Sequence, residues 1–311
     1  MKFSPLQKTH NRTYAVEIKK QSNERERAKR KKRPLTITSR FFQYKKNQLR
    51  NFYHKLKMKE RRMISPYTQR STDSHKINLF CIPFAGGSSY AFRDLGRYVA
   101  DFVNIAAIDL PGHGRKMRSP LLTNIHEMTD GIFREIKDEL NKPYAVYGHS
   151  MGALLGYLLS RKVAEENMPE PLCLFVSGHY SPTVPPKQKT LHLLPQEAFI
   201  RKVTEYGGIP AEVIREKDLM DLFVPILRAD FQAVAEYVHQ PAPPLDIPIT
   251  VMIGSNDTTK YDEAERWQEV TSRKISLRQF PGGHFFIFEY LSEMCKIICR
   301  NIEACVTVRP N

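Results

Sequence analysis

Gly148-His149-Ser150-Met151-Gly152 lies between the apolar run 144–147 and a helix-like segment that begins at Ala153. A strand, a sharp turn and a helix form the context of a G-x-S-x-G nucleophile elbow, in which the turn exposes the serine hydroxyl. Glycine at both ends of the motif lets strand and helix approach closely, where a Cβ would crowd the neighbouring backbone. Ser150 is therefore predicted to be a nucleophile. The alternative is a serine that only caps a helix N-terminus.

The segment around this motif alternates between strands and helices. Six apolar runs predict strands, and amphipathic segments of 12–18 residues, one of them beginning at Asn124, predict the helices between them. This alternation indicates an α/β fold with a doubly wound, mostly parallel sheet covered by helices on both faces. The predicted strands are Ile77–Pro83, Asn104–Leu110, Tyr144–Tyr147, Leu172–Gly178, Ile247–Gly254 and Lys274–Phe280, and a closing helix is predicted over Phe285–Ala304. The run after the first strand predicts an amphipathic helix with Phe92, Leu95, Tyr98 and Val99 on one side.

The alternation stops between residues 181 and 245, where no run predicts a strand. Pro195 is predicted to open a helix that Gly207-Gly208 ends, and Ala211–Val238 predicts further helices interrupted by Pro225. An all-helical insertion at this point would lie over the carboxyl ends of the strands, where ligands bind in such sheets. We therefore predict a helical lid over residues 181–245, with the core formed by 76–180 and 246–311. The alternative is a set of helices that packs on the outside.

Residues 1–75 form a basic extension with 22 Lys and Arg against 5 Asp and Glu, a charge of +17, whereas the rest of the chain sums to −2. The basicity of the whole chain therefore gives no reason to assign nucleic acid as the partner of the domain. Too few apolar residues recur at any period to build a core, so the extension is predicted to be mostly disordered. Three interpretations stay open: binding to nucleic acid or an anionic surface, a solvated tail, or codons upstream of a true start at Met63.

The sequence shows no apolar run of membrane-spanning length and no secretory signal. Its five cysteines are an odd number without the paired spacing of zinc sites, which favours a reduced, cytoplasmic compartment. They are Cys81, Cys173, Cys295, Cys299 and Cys305. No metal-ligand cluster is visible, so neither a metal nor a cofactor is expected.

A serine nucleophile needs a base, and the base needs an acid that orients it. Asp257 follows the strand Ile247–Gly254, and His284 follows the last strand, so both are predicted at the same sheet edge as Ser150. The chain order Ser, Asp, His is that of α/β hydrolases. In this scheme His284 is the base and Asp257 is its acid partner.

Other residues compete for the roles of acid and base. Asp230 and Asp109 are the nearest rivals for the acid. Among other histidines, His149 should point away from Ser150, His113 is typical of a loop turn, and His179 is out of chain order.

Two backbone amides are predicted to bind the developing oxyanion. Met151 N–H is one, and the loop around Phe84-Ala85 should supply the other, with Gly86-Gly87 allowing close approach to the substrate. The alternative, a phosphate cradle at Gly86-Gly87-Ser88-Ser89, lacks both G-x-G-x-x-G and the P-loop lysine.

Five segments within residues 77–303 carry a family resemblance: Pro83-Phe84-Ala85-Gly86-Gly87-Ser88, Leu110-Pro111-Gly112-His113-Gly114-Arg115, Gly148-His149-Ser150-Met151-Gly152, Leu227-Arg228-Ala229-Asp230-Phe231 and Gly282-Gly283-His284-Phe285-Phe286. Taken together they resemble the type II thioesterases of nonribosomal peptide and polyketide synthesis, which have the α/β-hydrolase fold. The first and fourth segments are the most particular, because ordinary esterases do not share them.

The resemblance implies hydrolysis of acyl or aminoacyl thioesters on the phosphopantetheine arm of a carrier protein, through an acyl-serine intermediate and without a cofactor. It also implies a monomer. By the same resemblance Ser150, Asp257 and His284 form the triad, and Met151 and Ala85 donate to the oxyanion. Two features depart from the family: the basic extension, and Thr258-Thr259 after the acid, where the family often has a proline nearby. A carboxylesterase or lipase for free esters, and a non-catalytic binding protein, remain the alternative functions.

Removal of residues 1–62 tests whether the basic extension belongs to the domain. Because the domain pattern starts only at Ile77, we expect the shortened protein to keep its solubility and its turnover of an acyl thioester. Steady-state kinetics and size-exclusion chromatography of both forms measure this. Loss of soluble, active protein would show that the extension is part of the fold.

Overall fold

The computed structural model describes residues 76–207 and 214–308. The interpretations of residues 1–75, including the start at Met63, lie outside the described residues. So do Gly208, Ala211 and the last three residues of the chain.

A six-stranded parallel sheet forms the centre of the described chain. Its strands are β1 (Ile77–Ile82), β2 (Val103–Ala107), β3 (Tyr144–His149), β4 (Leu174–Ser177), β5 (Ile249–Gly254) and β6 (Ser276–Phe280). Every residue of β3, β4 and β5 is buried, as expected for parallel strands covered on both faces. All six predicted strands are present in the predicted chain order, and no strand end differs from its prediction by more than three residues.

The strand order is β2-β1-β3-β4-β5-β6, so the direction in which strands are added reverses between β1 and β3. Ile82 at the end of β1 is in register with Gly148 near the end of β3. Loops after neighbouring strands diverge at such a reversal and leave a crevice beyond the carboxyl ends, where ligands bind in open α/β sheets. The loop that begins at Pro83 and the turn at Ser150 therefore border the same crevice.

The helices that accompany the sheet are α1 (Ile125–Ile136), α2 (Met151–Glu165), α3 (Gln196–Glu205), α4 (Lys217–Ala235), α5 (Tyr261–Glu265) and α6 (Leu291–Val308). Asn124 caps α1 as predicted, because its side chain accepts hydrogen bonds from the His126 and Glu127 amides at 2.8 and 3.2 Å. Within residues 76–207 and 214–308, every helix is too short or too polar to cross a lipid bilayer.

The prediction of an amphipathic helix after β1 is wrong. Two short 3₁₀ helices, Ser89–Phe92 and Leu95–Arg97, stand in its place. The carboxylate of Asp109 accepts hydrogen bonds from both the amide and the hydroxyl of Ser89, which ties this segment to the end of β2. Tyr98, predicted on the buried face, is 46% exposed.

Two helical segments differ in extent from their predictions. The interruption predicted at Pro225 is wrong, because α4 continues through this residue. The closing helix divides into a 3₁₀ turn, Phe286–Phe288, and α6. The prediction that Pro195 opens a helix is confirmed, since Pro195 is the residue before α3.

Helices α3 and α4 share a small apolar cluster of their own, built around Phe199, Val203, Val224 and Leu227. The much larger cluster on the sheet includes α1 and α2 and reaches the far end of α4 through Ala233. Among the described residues 181–245, no residue belongs to a strand of the sheet. This interval joins the sheet cluster through Ala233 in α4 and through Tyr237 and Leu245 after it.

Gly148→Ala tests how closely α2 approaches the sheet. A Cβ on Gly148 would lie 2.0 Å from the carbonyl oxygen of Gly152, so we expect a loss of about 3 kcal/mol or more in the free energy of unfolding. Gly131→Ala in α1 is the matched control, because nothing lies within 4 Å of its added Cβ. The control should gain about 0.5–1 kcal/mol. Urea unfolding measures both, and equal effects would contradict the close approach.

Candidate active site

Ser150 occupies the turn between β3 and α2. Its φ of 55° and ψ of −121° are unusual for a residue with a Cβ, and its amide donates to Ser177 O at 2.8 Å. A Cβ on Gly152 would lie 2.1 Å from Ile82 O, so both glycines of the motif are needed for the turn. Strain of this kind persists where the surrounding structure holds it, and it is common at functional sites.

His284 and Asp257 are paired by the structure. His284 Nδ1 lies 2.9 Å from Asp257 Oδ1, and their side chains are 9% and 0% exposed. Asp257 follows β5 and His284 follows β6, so their two loops meet although 27 residues separate them. Because a carboxylate oxygen only accepts, Nδ1 carries the proton and Nε2 holds the free lone pair. This is the tautomer that a general base needs.

Asp257 is ionised more readily than an ordinary aspartate. Burial acts most strongly and in the opposite direction, but the hydrogen bond from His284, its charge and the Thr258 amide together lower the pKa of Asp257 below 3.8. The Thr258 amide donates to the same Oδ1 at 2.6 Å. The carboxylate is therefore available to orient His284 across the neutral pH range.

The end of β4 lies between Ser150 and His284. Ser177 accepts the Ser150 amide, and a Cβ on the next residue, Gly178, would lie 3.3 Å from His284 Cε1. Gly178 has a φ of +63°, so both its conformation and its surroundings require glycine. The serine turn and the histidine loop are thus held against adjacent residues of one strand end.

His149 has a place that sequence reasoning missed. Its imidazole is fully buried, with Nδ1 2.9 Å from Ser177 Oγ and its ring centre 5.0 Å from that of His284. Burial and the charge of His284 lower the pKa of His149 well below 6.5, so it packs beside His284 as a neutral ring. The position of His149 inside the G-x-S-x-G motif places it near Ser150, but nothing in the sequence indicates that its ring contacts His284.

The two rival carboxylates are occupied elsewhere. Asp109 binds Ser89 and Arg115, whose Nε donates to Asp109 Oδ2 at 2.7 Å. Asp230 binds the Gly86 amide and His113, with Oδ2 2.7 Å from Gly86 N and 2.9 Å from His113 Nε2. Neither aspartate shares a hydrogen bond with His284 in the part of the chain described.

The other two histidines that were candidates for the base, His113 and His179, also have hydrogen-bond partners of their own. His179 Nδ1 lies 2.7 Å from Tyr180 O, and burial lowers the pKa of His179 to about 4. His113 is a buried partner of Asp230, which the prediction of a simple loop turn missed.

The predicted oxyanion amides border the crevice. Met151 is the first residue of α2, so its N–H has no acceptor within the helix. In the loop after β1, Gly87 N donates to Phe84 O at 2.7 Å and Gly86 N donates to Asp230. Ala85 directly precedes these two residues, so the hydrogen bonds of Gly86 and Gly87 hold the backbone next to the Ala85 amide.

Aromatic rings surround the histidine. The Tyr206 ring, directly after α3, meets that of His284 edge-on at 5.4 Å between centres. Phe285 packs on both His284 and Phe84, with centres 5.1 and 5.0 Å apart. Burial raises the pKa of Tyr206 to about 12, so its hydroxyl stays protonated. Sequence reasoning missed Tyr206, which only the position of α3 brings to the site.

Within residues 76–207 and 214–308, no group of three or more His, Cys, Asp or Glu side chains has the arrangement to hold a metal ion. Cys81, Cys295 and Cys299 have free thiols.

Comparison with known protein families matches residues 77–305 to the family described as "Thioesterase domain". Two similar curated proteins are the gramicidin S biosynthesis protein GrsT of Aneurinibacillus migulanus and the medium-chain S-acyl fatty acid synthase thioesterase of Rattus norvegicus. GrsT is 36% identical over 73% of this chain and 90% of its own length. The rat protein is 31% identical over 68% of this chain and 82% of its own length.

Two similar solved structures are of proteins from NRPS/PKS pathways. ClbQ from the colibactin NRPS/PKS pathway has a TM-score of 0.72 and 28% identity, covering 75% of this chain and all of its own. YbtT, the type II thioesterase of the yersiniabactin NRPS/PKS pathway, has a TM-score of 0.69 and 25% identity, covering 76% of this chain and 97% of its own. The sheet and helices described above are those of the α/β-hydrolase fold, as predicted.

Asp257→Asn tests the environment of the acid through stability. Because the pKa of Asp257 is lowered below 3.8 in the folded protein, its ionised form stabilises the fold above that pH. This contribution is lost as the pH falls through the lowered value. We expect the difference in unfolding free energy between wild type and Asp257→Asn to be constant above about pH 5 and to shrink in acid.

Urea unfolding from neutral to acidic pH measures this difference. Asp262→Asn, at an exposed position on α5, is the control. A difference for Asp257→Asn that does not change with pH would contradict the assignment.

Proposed function

The chain belongs to the thioesterase domain family, and from this premise we propose that it hydrolyses acyl or aminoacyl thioesters on the phosphopantetheine arm of a carrier protein. The similar proteins GrsT, ClbQ and YbtT come from peptide and polyketide pathways, which supports the same setting for this chain. The role would be to free synthetases that are blocked or wrongly primed.

The hydrogen bond between His284 and Asp257 beside the Ser150 turn carries the proposal. A serine hydroxyl is a weak nucleophile unless a base takes its proton, and the Nε2 lone pair of His284 supplies that base. We assign Ser150 as nucleophile, His284 as general base and acid, and Asp257 as the residue that holds the imidazole in its working tautomer.

Acylation begins when Ser150 Oγ attacks the thioester carbonyl carbon while His284 Nε2 accepts the hydroxyl proton. The carbonyl oxygen becomes an oxyanion that the Met151 and Ala85 amides bind. The C–S bond then breaks, and the imidazolium returns its proton to the departing thiolate of phosphopantetheine. Asp257 stabilises the imidazolium between these two transfers without itself taking the proton.

Deacylation repeats the sequence with water. The water oxygen attacks the acyl-serine carbonyl carbon while His284 accepts a proton from the water. The Met151 and Ala85 amides bind the second oxyanion. Collapse breaks the ester bond, gives the proton to Ser150 Oγ and releases the carboxylic acid. A thioester carbonyl is already electrophilic, so these groups suffice without a cofactor.

The helical residues 181–245 are proposed to be a lid. The support is that α3 and α4 form their own apolar cluster and that Tyr206, after α3, contacts the His284 ring. Such a segment provides a narrow entrance for a long phosphopantetheine arm and limits water during acylation. The core is then 76–180 with 246–311, and the basic residues 1–75 are an extension outside it.

We also propose a cytoplasmic monomer. The free thiols of Cys81, Cys295 and Cys299 support a reducing compartment. The near-neutral charge of residues 76–311 gives no support for nucleic acid as a partner of the domain.

Turnover of an acyl-carrier protein compared with a p-nitrophenyl ester tests the substrate class. We expect higher kcat/KM for the carrier thioester, because only it offers a pantetheine arm and a protein surface. A preference for the free ester by orders of magnitude would make the chain an ordinary esterase instead.

Ser150→Ala tests the nucleophile. We expect kcat for the carrier thioester to fall by about 10³-fold or more, because removal of a triad member leaves only binding and the oxyanion amides. Ser160→Ala is the matched control, since this buried serine lies in α2 and its hydroxyl donates within the helix, to Gly156 O at 2.9 Å. Unchanged hydrolysis by Ser150→Ala, or no hydrolysis by wild type, would favour a non-catalytic binding protein.

A further inference from the structure

One carboxylate oxygen joins three separate parts of the chain. Asp230 Oδ2, on α4, accepts the Gly86 amide of the loop after β1 at 2.7 Å and lies 2.9 Å from Nε2 of His113, in the loop after β2. Asp230 is fully buried and the His113 side chain is 2% exposed. Neither residue has a part in the proton transfers assigned above.

The contacts of His113 define its protonation state. Its Nδ1 lies 2.9 Å from Pro111 O, and its Nε2 lies 2.9 Å from Asp230 Oδ2. A carbonyl oxygen and a carboxylate oxygen both accept, so each ring nitrogen carries a hydrogen and His113 is an imidazolium. The result is a buried ion pair with charge-assisted hydrogen bonds, which are shorter and stronger than neutral ones.

The groups that face His113 favour the charged form. Burial has the largest effect and acts to lower its pKa, but the charge of Asp230, the hydrogen bonds to Asp230 and Pro111, and the charge of Asp109 together raise the pKa of His113 above 6.5. Asp109 in turn is paired with Arg115 at 2.7 Å.

Helix α4 contacts the same loop a second time, one turn earlier. A Cβ on Gly86 would lie 2.6 Å from Leu227 Cδ2, and Gly86 has a φ of +70°. Leu227 therefore packs directly over the Gly86 backbone while Asp230 binds its amide. Two contacts from one rigid helix determine where Gly86 lies and which way its peptide group faces.

We propose that Asp230, paired with His113, is a positioning residue that aims the neighbouring Ala85 amide into the oxyanion hole. The carboxylate holds Gly86, the residue that follows Ala85, and His113 holds the carboxylate from the opposite loop. Because Asp230 lies on α4, the oxyanion site is complete only when this helix of the proposed lid is in place. The proposal rests on the thioesterase function stated above.

The expected effect is specific to the transition state. An oxyanion amide binds the tetrahedral oxygen more strongly than the ground-state carbonyl, and removal of one such donor costs about 10²–10³ in kcat. A change in the direction of the Ala85 amide, without its removal, should lower kcat by a smaller factor. Substrate binding through the pantetheine arm does not use this amide and should be preserved.

Asp230→Asn keeps the side-chain shape but removes the charge that holds the imidazolium. We expect kcat with an acyl-carrier protein to fall about 10- to 100-fold while KM changes by less than about 2-fold. In a pantetheine trifluoromethyl ketone, Ser150 Oγ attacks the ketone carbon and the carbonyl oxygen becomes an oxyanion. The affinity of Asp230→Asn for this ketone should fall by the same factor as its kcat/KM. Its ground-state thioether analogue should bind as to wild type.

Thr271→Val is the control, because Thr271 is also buried and its Oγ1 donates to Ile247 O at 2.6 Å, beside the amino end of β5 rather than at the strand ends that carry Gly86 and His113. We expect it to lower the melting temperature without changing the ratio of ketone to thioether affinity. If both variants change this ratio equally, or if Asp230→Asn leaves it unchanged, the positioning role is overturned.

If Asp230→Asn fails to fold, the ion pair can be tested by a measurement on the wild-type protein. The ¹⁵N shifts of the His113 ring should report both nitrogens as protonated at neutral pH. A neutral His113 ring would overturn the ion pair. The proposed function fails separately: if Ser150→Ala retains hydrolysis, the function is wrong, whereas a failure confined to Asp230 leaves the triad assignment standing.

Discussion

The approach of α2 to the sheet is the constraint on which the rest of the site depends. The backbone passes so closely that a Cβ on Gly148 or Gly152 would lie within about 2 Å of a neighbouring carbonyl oxygen. The chain can make this turn only with Ser150 in a strained conformation, which raises its side chain from the end of β3. Since β3 adjoins the point where strand order reverses, the serine emerges beside the diverging loop after β1.

Helix α4 links the helical interval to that same loop. About one turn of the helix makes all of these contacts: Leu227 covers Gly86, Arg228 donates to the carbonyls of His192 and Leu194, and Asp230 binds Gly86 and His113. The Phe231 ring meets those of Phe199 and Tyr206 at 5.9 and 6.1 Å between centres. A short stretch of helix therefore holds the interval together and connects it to the candidate oxyanion site.

Local signals were sufficient for much of the fold. Apolar runs predicted the six strands, and Asn124 predicted the start of α1, because both depend on residues close in sequence. The single helix expected after β1 is replaced by two short 3₁₀ helices, whose first residue, Ser89, is hydrogen-bonded to Asp109 beyond the next strand. The break expected at Pro225 failed because burial of Val224 and Leu227 against α3 offsets the cost of proline, about 3 kcal/mol.

The sequence alone determined the sheet, the serine turn and the family, because glycine spacing and hydrophobic period are properties of short segments. The tertiary structure decided which of Asp109, Asp230 and Asp257 meets His284, since that choice depends on loops that follow different strands. It also brought the buried ring of His149 and the ring of Tyr206 to His284. Contacts between side chains far apart in sequence depend on strand order and helix position, which no local pattern records.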